Sequence, residues 1–329
     1  MRAWFMDAYD GVEKLRLVET PDPHPGPGQV LLGIQFAALN PADAFLAQNL
    51  YPAKPALPHV LGRDGAGTVL AIGEGVTNAK PGDIAGILRC DAGVEMWGTL
   101  AEKAVIPAAS LAPVPSGWTT EQMAGAPLVF LTAWQALNQW GGVPPAGQVL
   151  LVTGASGGVG VASVLLGKSL GLTVVALSRN PAKCQRLLAL GADHVFDPAD
   201  PNLRKKLLAA ISPARVDLVV DSVGGALFNQ VLATLGQNGR ISVVGRSGGA
   251  VPEFNTGMLF FRRNRIGGVS VGDYSPAEAQ TAWLEIVRRL HQIDRRPVVD
   301  AVFPFTDVKA AFARLAEGPM GKVLIRVAP

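Results

Sequence analysis

A glycine-rich turn, Val152–Gly160 (VTGASGGVG), carries the residues whose spacing is most suggestive of chemistry. An apolar run precedes it and a helical pattern follows, as at the first strand-to-helix crossover of a dinucleotide-binding unit. Gly157 would let the backbone approach a pyrophosphate, and Gly160 would let the helix pack closely. Ala155 stands where the G-x-G-x-x-G pattern has its first glycine, so an ordinary tight turn is the alternative. The predicted cofactor contacts here are Gly154, Gly157, Gly158, Val159 and Gly160.

The end of the next predicted strand, Leu177–Asn180, distinguishes between the two nicotinamide cofactors. A site for NAD places a carboxylate here for the ribose 2′-hydroxyl, but no acid occurs before Asp193. Arg179 can instead pair with a 2′-phosphate, Ser178 can add a hydroxyl, and Lys183 follows one helical turn later. We therefore predict NADPH, held by Ser178, Arg179 and Lys183; solvated surface charges are the alternative.

From Gln148 onward, strands and helices alternate, which predicts a parallel sheet with helices on both faces. The predicted strands are Val149–Gly154, Thr173–Ser178, His194–Asp197, Val216–Asp221 and Arg240–Gly245, with Arg265–Val271 as a candidate sixth. Ligands bind such sheets at the carboxyl ends of the strands, so we expect Ser222, Val244 and Gly245 to contact the cofactor. Thr132, in the preceding helix, is a further candidate, whereas Asp221 fits a helix cap equally well.

The chain before this region is rich in proline and glycine and predicts short strands, including Val30–Phe36, Gly67–Ile72 and Asp83–Leu88. The tail predicts helices at Pro276–His291 and Thr306–Glu317 and a last strand at Lys322–Val327. We assign the tail to the first domain. The predicted fold class is α/β: a mostly β catalytic domain (1–123), a doubly wound parallel-sheet domain (124–272), and a return to the catalytic domain (273–329).

Composition narrows the function classes. The formal net charge is +3 and the sequence has no block of basic residues. This charge pattern does not indicate binding to nucleic acid or to a membrane surface. The start, MRAWFMDAYDG, lacks a signal peptide's apolar core, and Ala124–Leu137 is too short to span a bilayer. We therefore expect a cytoplasmic protein.

Ligand counting argues against zinc. A structural zinc lobe needs about four cysteines in a short loop, whereas this chain has two cysteines, Cys90 and Cys184. The four histidines are scattered along the chain: His24, His59, His194 and His291. We predict no metal site, and we interpret Cys90 as a small apolar filler.

Taken together, the sequence resembles a known family, the zinc-free medium-chain dehydrogenase/reductases of the NADPH:quinone oxidoreductase (zeta-crystallin-like) branch. The similarity covers nearly the whole chain. Its markers are AALNPAD (Ala37–Asp43), LPHVLGRDGAGTV (Leu57–Val69), KPGD (Lys80–Asp83), FLTAWQAL (Phe130–Leu137), TGASGGVG (Thr153–Gly160), LGADHVFD (Leu190–Asp197), VDSVGG (Val220–Gly225) and GKVLI (Gly321–Ile325). Zinc-dependent relatives carry a cysteine near the position of Asn40, and a Gly-His-Glu run where this chain has Gly62-Arg63-Asp64.

The resemblance implies a GroES-like catalytic domain and a Rossmann domain, with the active site in the cleft between them. It also implies a homodimer that pairs the last Rossmann strands edge to edge, and Arg265–Val271 would form that edge. An internal strand in a monomer is the alternative.

Without a metal, hydride transfer to an isolated ketone would build an alkoxide with no Lewis acid beside it. In a quinone or an α,β-unsaturated carbonyl, the charge spreads to a distant oxygen, where hydrogen-bond donors suffice. We therefore predict that the protein reduces a quinone or an enone with NADPH. The alternatives are an enoyl-thioester reductase and a non-catalytic NADPH-binding protein, while the ligand count nearly excludes a zinc alcohol dehydrogenase.

Asn40 and Tyr51 are the predicted catalytic residues, and both lie in NPADAFLAQNLYP, which in the resembled family lines the nicotinamide end. Asn40 would orient nicotinamide or substrate, and Tyr51 would donate a hydrogen bond or a proton to the reduced acceptor. A packing role is the alternative for Tyr51. We expect Asp43 to fix its own turn. We expect Arg63 and Asp64 to form a loop ion pair, with a substrate contact as the alternative.

The loop Arg246–Asn264 holds Met258, Phe260 and Phe261. These apolar side chains suit either the wall of an acceptor pocket or core packing.

Overall fold

The computed structural model describes residues 1–250 and 253–328, and the chain divides into two compact units. Unit 1 comprises Met1–Leu128, Gly272–Leu284 and Arg296–Pro329, and unit 2 comprises Val129–Val271 and Glu285–Arg295. Val251 and Pro252 of the predicted loop, and Pro329 of the predicted tail, lie outside the described residues.

The strands of the described residues are β1 (Arg2–Met6), β2 (Arg16–Glu19), β3 (Gln29–Ala38), β4 (His59–Val60), β5 (Asp64–Ile72), β6 (Ile84–Ile87), β7 (Lys103–Pro107), β8 (Leu111–Pro113), β9 (Val149–Val152), β10 (Thr173–Leu177), β11 (His194–Phe196), β12 (Val216–Asp221), β13 (Leu235–Val243), β14 (Arg265–Gly268), β15 (Val299–Pro304) and β16 (Lys322–Arg326). Their helices are α1 (Pro41–Ala47), α2 (Thr120–Gly125), α3 (Pro127–Asn138), α4 (Gly158–Ser169), α5 (Pro181–Leu190), α6 (Leu203–Ala210), α7 (Leu227–Leu232), α8 (Gly257–Phe260), α9 (Pro276–Gln292) and α10 (Val308–Ala316). Short 3₁₀ turns lie at Val12–Lys14, Ala108–Ser110, Val271–Asp273 and Phe305–Asp307.

Unit 1 is built on a mixed sheet in the order β15-β16-β3-β5-β6-β8, with β7 also paired to β3. A small second sheet has the order β2-β1-β4. The apolar side chains of β3 and β5 join a buried core with those of α10 and β16, among them Val30, Leu32, Val69, Phe312 and Val323. This core fixes the ends of β3, β5 and β16, where the polar residues of unit 1 gather.

Unit 2 contains a parallel sheet in the order β11-β10-β9-β12-β13-β14, which is 3-2-1-4-5-6 when its strands are numbered along the chain. This is the Rossmann order, in which ligands bind where the strand order reverses, beside β9. Every residue of β9 is buried and apolar, as expected for a central strand covered on both faces.

The ends of the helices in unit 2 follow the local sequence. Asn180 caps α5 by accepting a hydrogen bond from the Lys183 N–H at 3.1 Å, and Pro181 is the first helical residue. Gly191 ends α5 with a φ of 116°, which suits glycine. Helix α4 is capped by Leu170, and Gly171 follows in a left-handed conformation.

Several predicted elements differ from the structure in their bounds. The residues after Thr120, whose spacing predicts a helix, fold as two helices, α2 and α3, because Pro127 cannot continue the hydrogen bonding of α2. Strand β14 ends at Gly268 rather than Val271, and it lies at an edge of the sheet. None of the helices in the described ranges is both long and apolar enough to cross a membrane.

Candidate active site and cofactor site

The glycine turn of unit 2 adopts a conformation that depends on its glycines. Gly154 has a φ of 56°, and its carbonyl accepts a hydrogen bond from the Gly157 N–H at 3.0 Å. A Cβ on Gly160 would lie 2.3 Å from the Gly154 oxygen, so only glycine lets α4 pack against the turn. A Cβ on Gly157 would meet nothing closer than 3.4 Å, so packing does not require glycine there. Glycine at this position would instead allow a ligand to approach the backbone closely.

Helix α4 starts directly after this turn. Gly157 is its N-cap, and the first bond of the helix runs from the Val161 N–H to the Gly157 carbonyl at 2.8 Å. The N–H groups of Gly158, Val159 and Gly160 therefore lie in the first turn, where a helix has no internal acceptors for them. Such a turn, with the positive end of the helix dipole behind it, suits a phosphate.

The carboxyl ends of β9 and β12 are tied together by hydrogen bonds. The Thr153 hydroxyl donates to Asp221 Oδ1 at 2.5 Å and accepts from the Ser222 N–H at 3.0 Å. Asp221 also accepts from the Val223 N–H at 3.1 Å and from the Gly224 N–H at 3.2 Å. Asp221 thus stabilises its own turn, which agrees with the capping alternative. The Ser222 hydroxyl oxygen is buried and has no hydrogen-bond partner among the described residues.

Val244 and Gly245 follow the neighbouring strand β13 at the same edge of the sheet. The Val244 N–H donates to the Asp221 carbonyl at 2.8 Å. A Cβ on Gly245 would lie 3.1 Å from the Ser222 carbonyl oxygen. The structure therefore brings Ser222, Val244 and Gly245 together beside the glycine turn.

The predicted 2′-phosphate residues lie at the end of β10 on the other side of that turn, where the Ala155 N–H donates to the Leu177 carbonyl at 3.3 Å. Ser178 is buried and Arg179 is exposed, and in the described part of the chain no carboxylate pairs with Arg179. Asp193 instead bonds to the Lys168 ammonium and the Val174 N–H, at 3.2 and 2.8 Å. Lys183 is half-buried in the first turn of α5.

Thr132 is half-buried on α3.

The free helix N-terminus, the exposed guanidinium and the buried Ser222 hydroxyl fit a phosphorylated dinucleotide. The contacts of the predicted unit 2 residues with a cofactor stay predictions.

The predicted catalytic residue Asn40 lies in a buried polar cluster of unit 1. Because Leu324 of β16 pairs with Ala38 of β3 in antiparallel register, Lys322 comes opposite Asn40. Lys322 Nζ donates to Asn40 Oδ1 at 2.6 Å and to Asp64 Oδ2 at 3.0 Å. Asn40 Nδ2 donates to Asp64 Oδ2 at 3.0 Å, and the Leu128 N–H donates to Asp64 Oδ1 at 3.2 Å. Both ends of the Asn40 amide are therefore engaged within unit 1.

Asp43 and Arg63 form a second part of this cluster. The Asn40 N–H donates to Asp43 Oδ2 at 2.8 Å, which fixes the first turn of α1 as predicted. Asp43 Oδ1 lies 3.4 Å from Arg63 Nε. The predicted ion pair between Arg63 and Asp64 is therefore wrong: Arg63 pairs with Asp43, and Asp64 pairs with Lys322.

Tyr51 joins the cluster through Arg63. Arg63 Nη1 donates to the Tyr51 phenol oxygen at 3.1 Å, and the guanidinium lies 4.7 Å from the centre of the Tyr51 ring. Burial raises the pKa of the Asp43 carboxyl above its ordinary value, against the opposing effect of Arg63. Burial also opposes the charge of Arg63, but Asp43 and Tyr51 hold the pKa of its guanidinium above the ordinary value.

These residues do not fit a catalytic zinc. Zinc takes thiolate, imidazole or carboxylate ligands, whereas here an amide and a guanidinium stand with carboxylates that already bind cations. Arg63 and Lys322 would both repel a divalent ion. Within the described ranges, no group of three or more His, Cys, Asp or Glu side chains could hold a metal.

The prediction from sequence missed two residues of these sites, Lys322 and Thr153. Lys322 opens the apolar strand β16 and is 5% exposed, and a buried lysine requires a carboxylate partner. A lysine at the start of an otherwise apolar strand was the feature of the sequence that could have identified Lys322. Thr153 lies inside the glycine turn, where its hydroxyl gave no separate signal.

The loop after β13 combines features of both predicted alternatives. Phe260 and Phe261 are 67% and 76% exposed, so they do not belong to the core. They line a surface pocket of about 540 Å³ together with Arg204 and Arg262. Met258 also lines this pocket and packs partly against the core of unit 2.

Known protein families match residues in both units. Residues 26–116 match the alcohol dehydrogenase GroES-like domain family, and residues 158–288 match the zinc-binding dehydrogenase family. A segment of polyketide synthase GfsB from Streptomyces halstedii is 37% identical over 229 residues, which are 69% of this chain. The chain spans only 4% of the length of that synthase.

Two solved structures match along the whole fold. The crystal structure of an NAD-dependent alcohol dehydrogenase is 33% identical, with a TM-score of 0.92 over 100% of both chains. Escherichia coli quinone oxidoreductase complexed with NADPH is 25% identical, with a TM-score of 0.89 over 99% of this chain and 100% of its own. The predicted fold class is thus confirmed, and this chain belongs to the medium-chain dehydrogenase/reductase family, with a GroES-like domain and a Rossmann domain.

Proposed function

We propose that this protein is an NADPH-dependent oxidoreductase that reduces a quinone or an α,β-unsaturated carbonyl without a metal. The observation that carries the proposal is the Tyr51 phenol, a hydrogen-bond donor beside the Arg63 guanidinium. A donor next to a cation can stabilise the oxygen of an enolate or phenolate. The neighbouring side chains Asn40, Asp64 and Lys322 satisfy one another and offer no ligand set for zinc.

The choice of NADPH rests on the end of β10. Arg179 is exposed there beside the Ser178 hydroxyl, and no carboxylate is present to bind a ribose 2′-hydroxyl. One similar structure is named an NAD-dependent enzyme and another is complexed with NADPH, so these names do not decide the cofactor. The guanidinium favours the phosphorylated form because it can pair with a 2′-phosphate.

NADPH, when bound, supplies the hydride. The α4 N-terminus and the glycine turn would hold its pyrophosphate, with Ser222, Val244 and Gly245 beside them. Tyr51 would donate a hydrogen bond to the oxygen on which the acceptor gathers negative charge, and would pass a proton to it. Asn40, held by Lys322 and Asp64, would keep the first turn of α1 and the neighbouring Tyr51 segment in place.

We extend the proposal to a cytoplasmic homodimer. Strand β14 is an edge strand of the unit 2 sheet and carries the exposed Ile266. An unprotected edge can pair with the same edge of a second copy. Size-exclusion chromatography with light scattering would test this: a dimer mass supports it, and a monomer mass at micromolar concentration contradicts it.

Reduction of an enoyl thioester is the second candidate function. The similarity to a segment of a polyketide synthase favours it. An enoyl thioester is itself an α,β-unsaturated carbonyl, so the same hydrogen-bond donors would serve.

The test is to follow oxidation of NADPH and of NADH with phenanthrenequinone, benzoquinone, an alkenal and crotonyl-CoA, each with and without a chelator. We expect the quinones or the alkenal to give the highest kcat/KM, with NADPH preferred and no effect of the chelator. Preference for crotonyl-CoA would favour the thioester reductase. Tight binding of NADPH without turnover of any acceptor would indicate a binding protein and contradict the proposal, as would activity that chelation abolishes.

A further inference from the structure

The Arg63 guanidinium contacts two groups, a buried carboxylate and a phenol. Its Nε lies 3.4 Å from Asp43 Oδ1, and its Nη1 donates to the Tyr51 oxygen at 3.1 Å. The Arg63 side chain is only 9% exposed, and that of Asp43 is fully buried. The pair is therefore shielded from water, and its charge acts on Tyr51 more strongly than a surface charge would.

Several hydrogen-bond donors in this group have no acceptor. Arg63 Nε and Nη2 are buried and have no hydrogen-bond partner within residues 1–250 and 253–328, although Nε lies within ion-pair distance of Asp43. The Tyr51 oxygen accepts from Arg63, and its own hydrogen has no acceptor in the same part of the chain. Unpartnered buried donors are rare in native proteins, so the free donors of Arg63 need a partner that the folded chain does not supply. Tyr51 is half-buried, so its hydroxyl is open to solvent or to a ligand.

We propose that Arg63 is a positioning residue for Tyr51, and that Tyr51, oriented and polarised by Arg63, binds the oxygen that becomes negatively charged on reduction. This inference rests on the proposed function. Because Arg63 donates to the phenol oxygen, the phenol hydrogen is directed elsewhere, toward the oxygen of the acceptor. The guanidinium charge, balanced by Asp43 before the reaction, stabilises the additional negative charge that develops there.

The proton and electrons balance as follows. NADPH, when bound, would supply the hydride to the acceptor carbon and would be oxidised to NADP⁺. The acceptor oxygen takes a proton from the Tyr51 hydroxyl, and Tyr51 regains a proton from water. Between these events the charge lies on the phenol oxygen, which stays hydrogen-bonded to Arg63.

The planar guanidinium is required because it meets two partners at once. Its Nε and Nη1 point to Asp43 and Tyr51, as an arginine fork allows. A lysine could keep the charge near Asp43 but offers only one nitrogen. We therefore expect Arg63→Lys to keep part of the kcat that Arg63→Met loses.

The first test is a double-mutant cycle of Arg63→Met and Tyr51→Phe, measured as kcat with the best acceptor. We expect Arg63→Met to lower kcat by tenfold or more and to leave the KM for NADPH unchanged. In the Tyr51→Phe background the same substitution should change kcat less than twofold, because Arg63 acts through the phenol. Arg16→Met is the matched control, since it removes an exposed pair with Asp7 in the same unit.

Arg63→Met leaves Asp43 buried without a cation, so this variant could unfold. The double variant Asp43→Asn/Arg63→Gln removes both charges and keeps two hydrogen-bonding amides. We expect it to fold, as judged by circular dichroism, and to show the same loss of kcat. A folded double variant with wild-type kcat would overturn the inference.

The second readout needs no cofactor and no turnover. Para-nitrophenolate resembles the phenolate product, and its absorbance reports its charge when it binds. We expect the wild-type protein to bind the phenolate form, and Arg63→Met and Tyr51→Phe to weaken that binding tenfold or more. Equal binding by all three proteins would overturn the inference. The inference would also be overturned if, in the double-mutant cycle, the two substitutions lowered kcat independently, so that their fold-changes multiplied.

The two hypotheses fail in different ways. If the wild-type protein reduces no acceptor but binds para-nitrophenolate through Arg63 and Tyr51, the proposed function is wrong and the oxyanion site stands. If it reduces quinones and Arg63→Met is as active as wild type, the inference is wrong and the proposed function stands.

Discussion

The ammonium group of Lys322 donates a hydrogen bond to the side-chain oxygen of Asn40 at 2.6 Å, although 282 residues separate them in sequence. The antiparallel register of β3 and β16 makes this contact, and Asp64 at the start of β5 completes it. A buried lysine and a buried aspartate therefore hold the amide of a predicted catalytic residue. Their charges compensate each other. Removing one therefore leaves the other buried without a partner, which destabilises the fold.

We expect Lys322→Met to lower the free energy of unfolding by about 3 kcal/mol, because Asp64 then keeps a buried charge without its cation. Urea denaturation followed by circular dichroism measures this. Adding Asp64→Asn to Lys322→Met should recover part of the loss, since the unpaired charge is removed. Lys80→Met, at an exposed position of the same unit, should change stability by less than about 0.5 kcal/mol. A Lys322→Met protein as stable as wild type would show that the pair contributes nothing.

Tyr51→Phe should lower kcat with quinones by about 100-fold, because it removes the donor to the acceptor oxygen. We expect a loss of about 1 kcal/mol in the free energy of unfolding, since the ring keeps its packing but Arg63 Nη1 loses its acceptor. Tyr274→Phe, also in unit 1, is the control and should keep wild-type kcat. Unchanged kcat in Tyr51→Phe would remove this residue from the mechanism.

Arg179→Ala should raise the KM for NADPH by about tenfold to 100-fold and leave the KM for NADH nearly unchanged, because only NADPH carries the 2′-phosphate. Arg186→Ala is the matched control, since it removes an exposed arginine from α5. Steady-state kinetics with each coenzyme provides the comparison. Equal effects on both coenzymes would contradict the role proposed for Arg179.

The sequence was sufficient to predict where the candidate cofactor residues of unit 2 lie in the fold because its signals are local. The glycine turn, the end of β10 and the strand ends at Ser222 and Val244 each combine a residue type with an adjacent strand or helix. The alternation of strands and helices predicted a parallel sheet with helices on both faces, whereas the order of the strands came from the structure. The positions of these residues agree with the prediction, while their contacts with a cofactor stay predictions.

The unit 1 cluster could not be predicted in the same way because its pairs are non-local. Arg63 and Asp64 are neighbours in sequence, but Asp64 begins β5 and faces Lys322, whereas Arg63 precedes the strand and reaches Asp43. Which partner each charge takes depends on the register of three strands. Sequence patterns do not fix that register across an insertion as long as unit 2.

His59 should contribute to acid sensitivity. It is 1% exposed, and burial lowers its pKa below the ordinary value, with a backbone bond to Gly93 opposing and the charge of Arg63 adding to the effect. The unfolded chain binds this proton near pH 6.5 and the folded chain does so only at lower pH, so stability falls as pH drops below about 6.5.

We therefore expect His59→Gln to reduce the loss of unfolding free energy between pH 7 and pH 5, by at most about 1.4 kcal/mol per pH unit. Urea denaturation at several pH values measures the slope. His24→Gln, at an exposed position, should leave the slope unchanged. The same slope in His59→Gln and wild type would show that other groups account for the acid sensitivity.

Gly160→Ala and Gly157→Ala should separate folding from cofactor binding. At Gly160 a methyl group would lie 2.3 Å from the Gly154 oxygen, so α4 must shift; we expect a loss of about 2 kcal/mol in stability and weak NADPH binding. At Gly157 the nearest atom would be 3.4 Å away and φ is −72°, so alanine fits the fold. Gly157→Ala should keep wild-type stability and still weaken NADPH binding tenfold or more, because the methyl group stands where the pyrophosphate approaches. Thermal unfolding and fluorescence titration with NADPH measure the two effects, and undiminished binding by Gly157→Ala would place the pyrophosphate elsewhere.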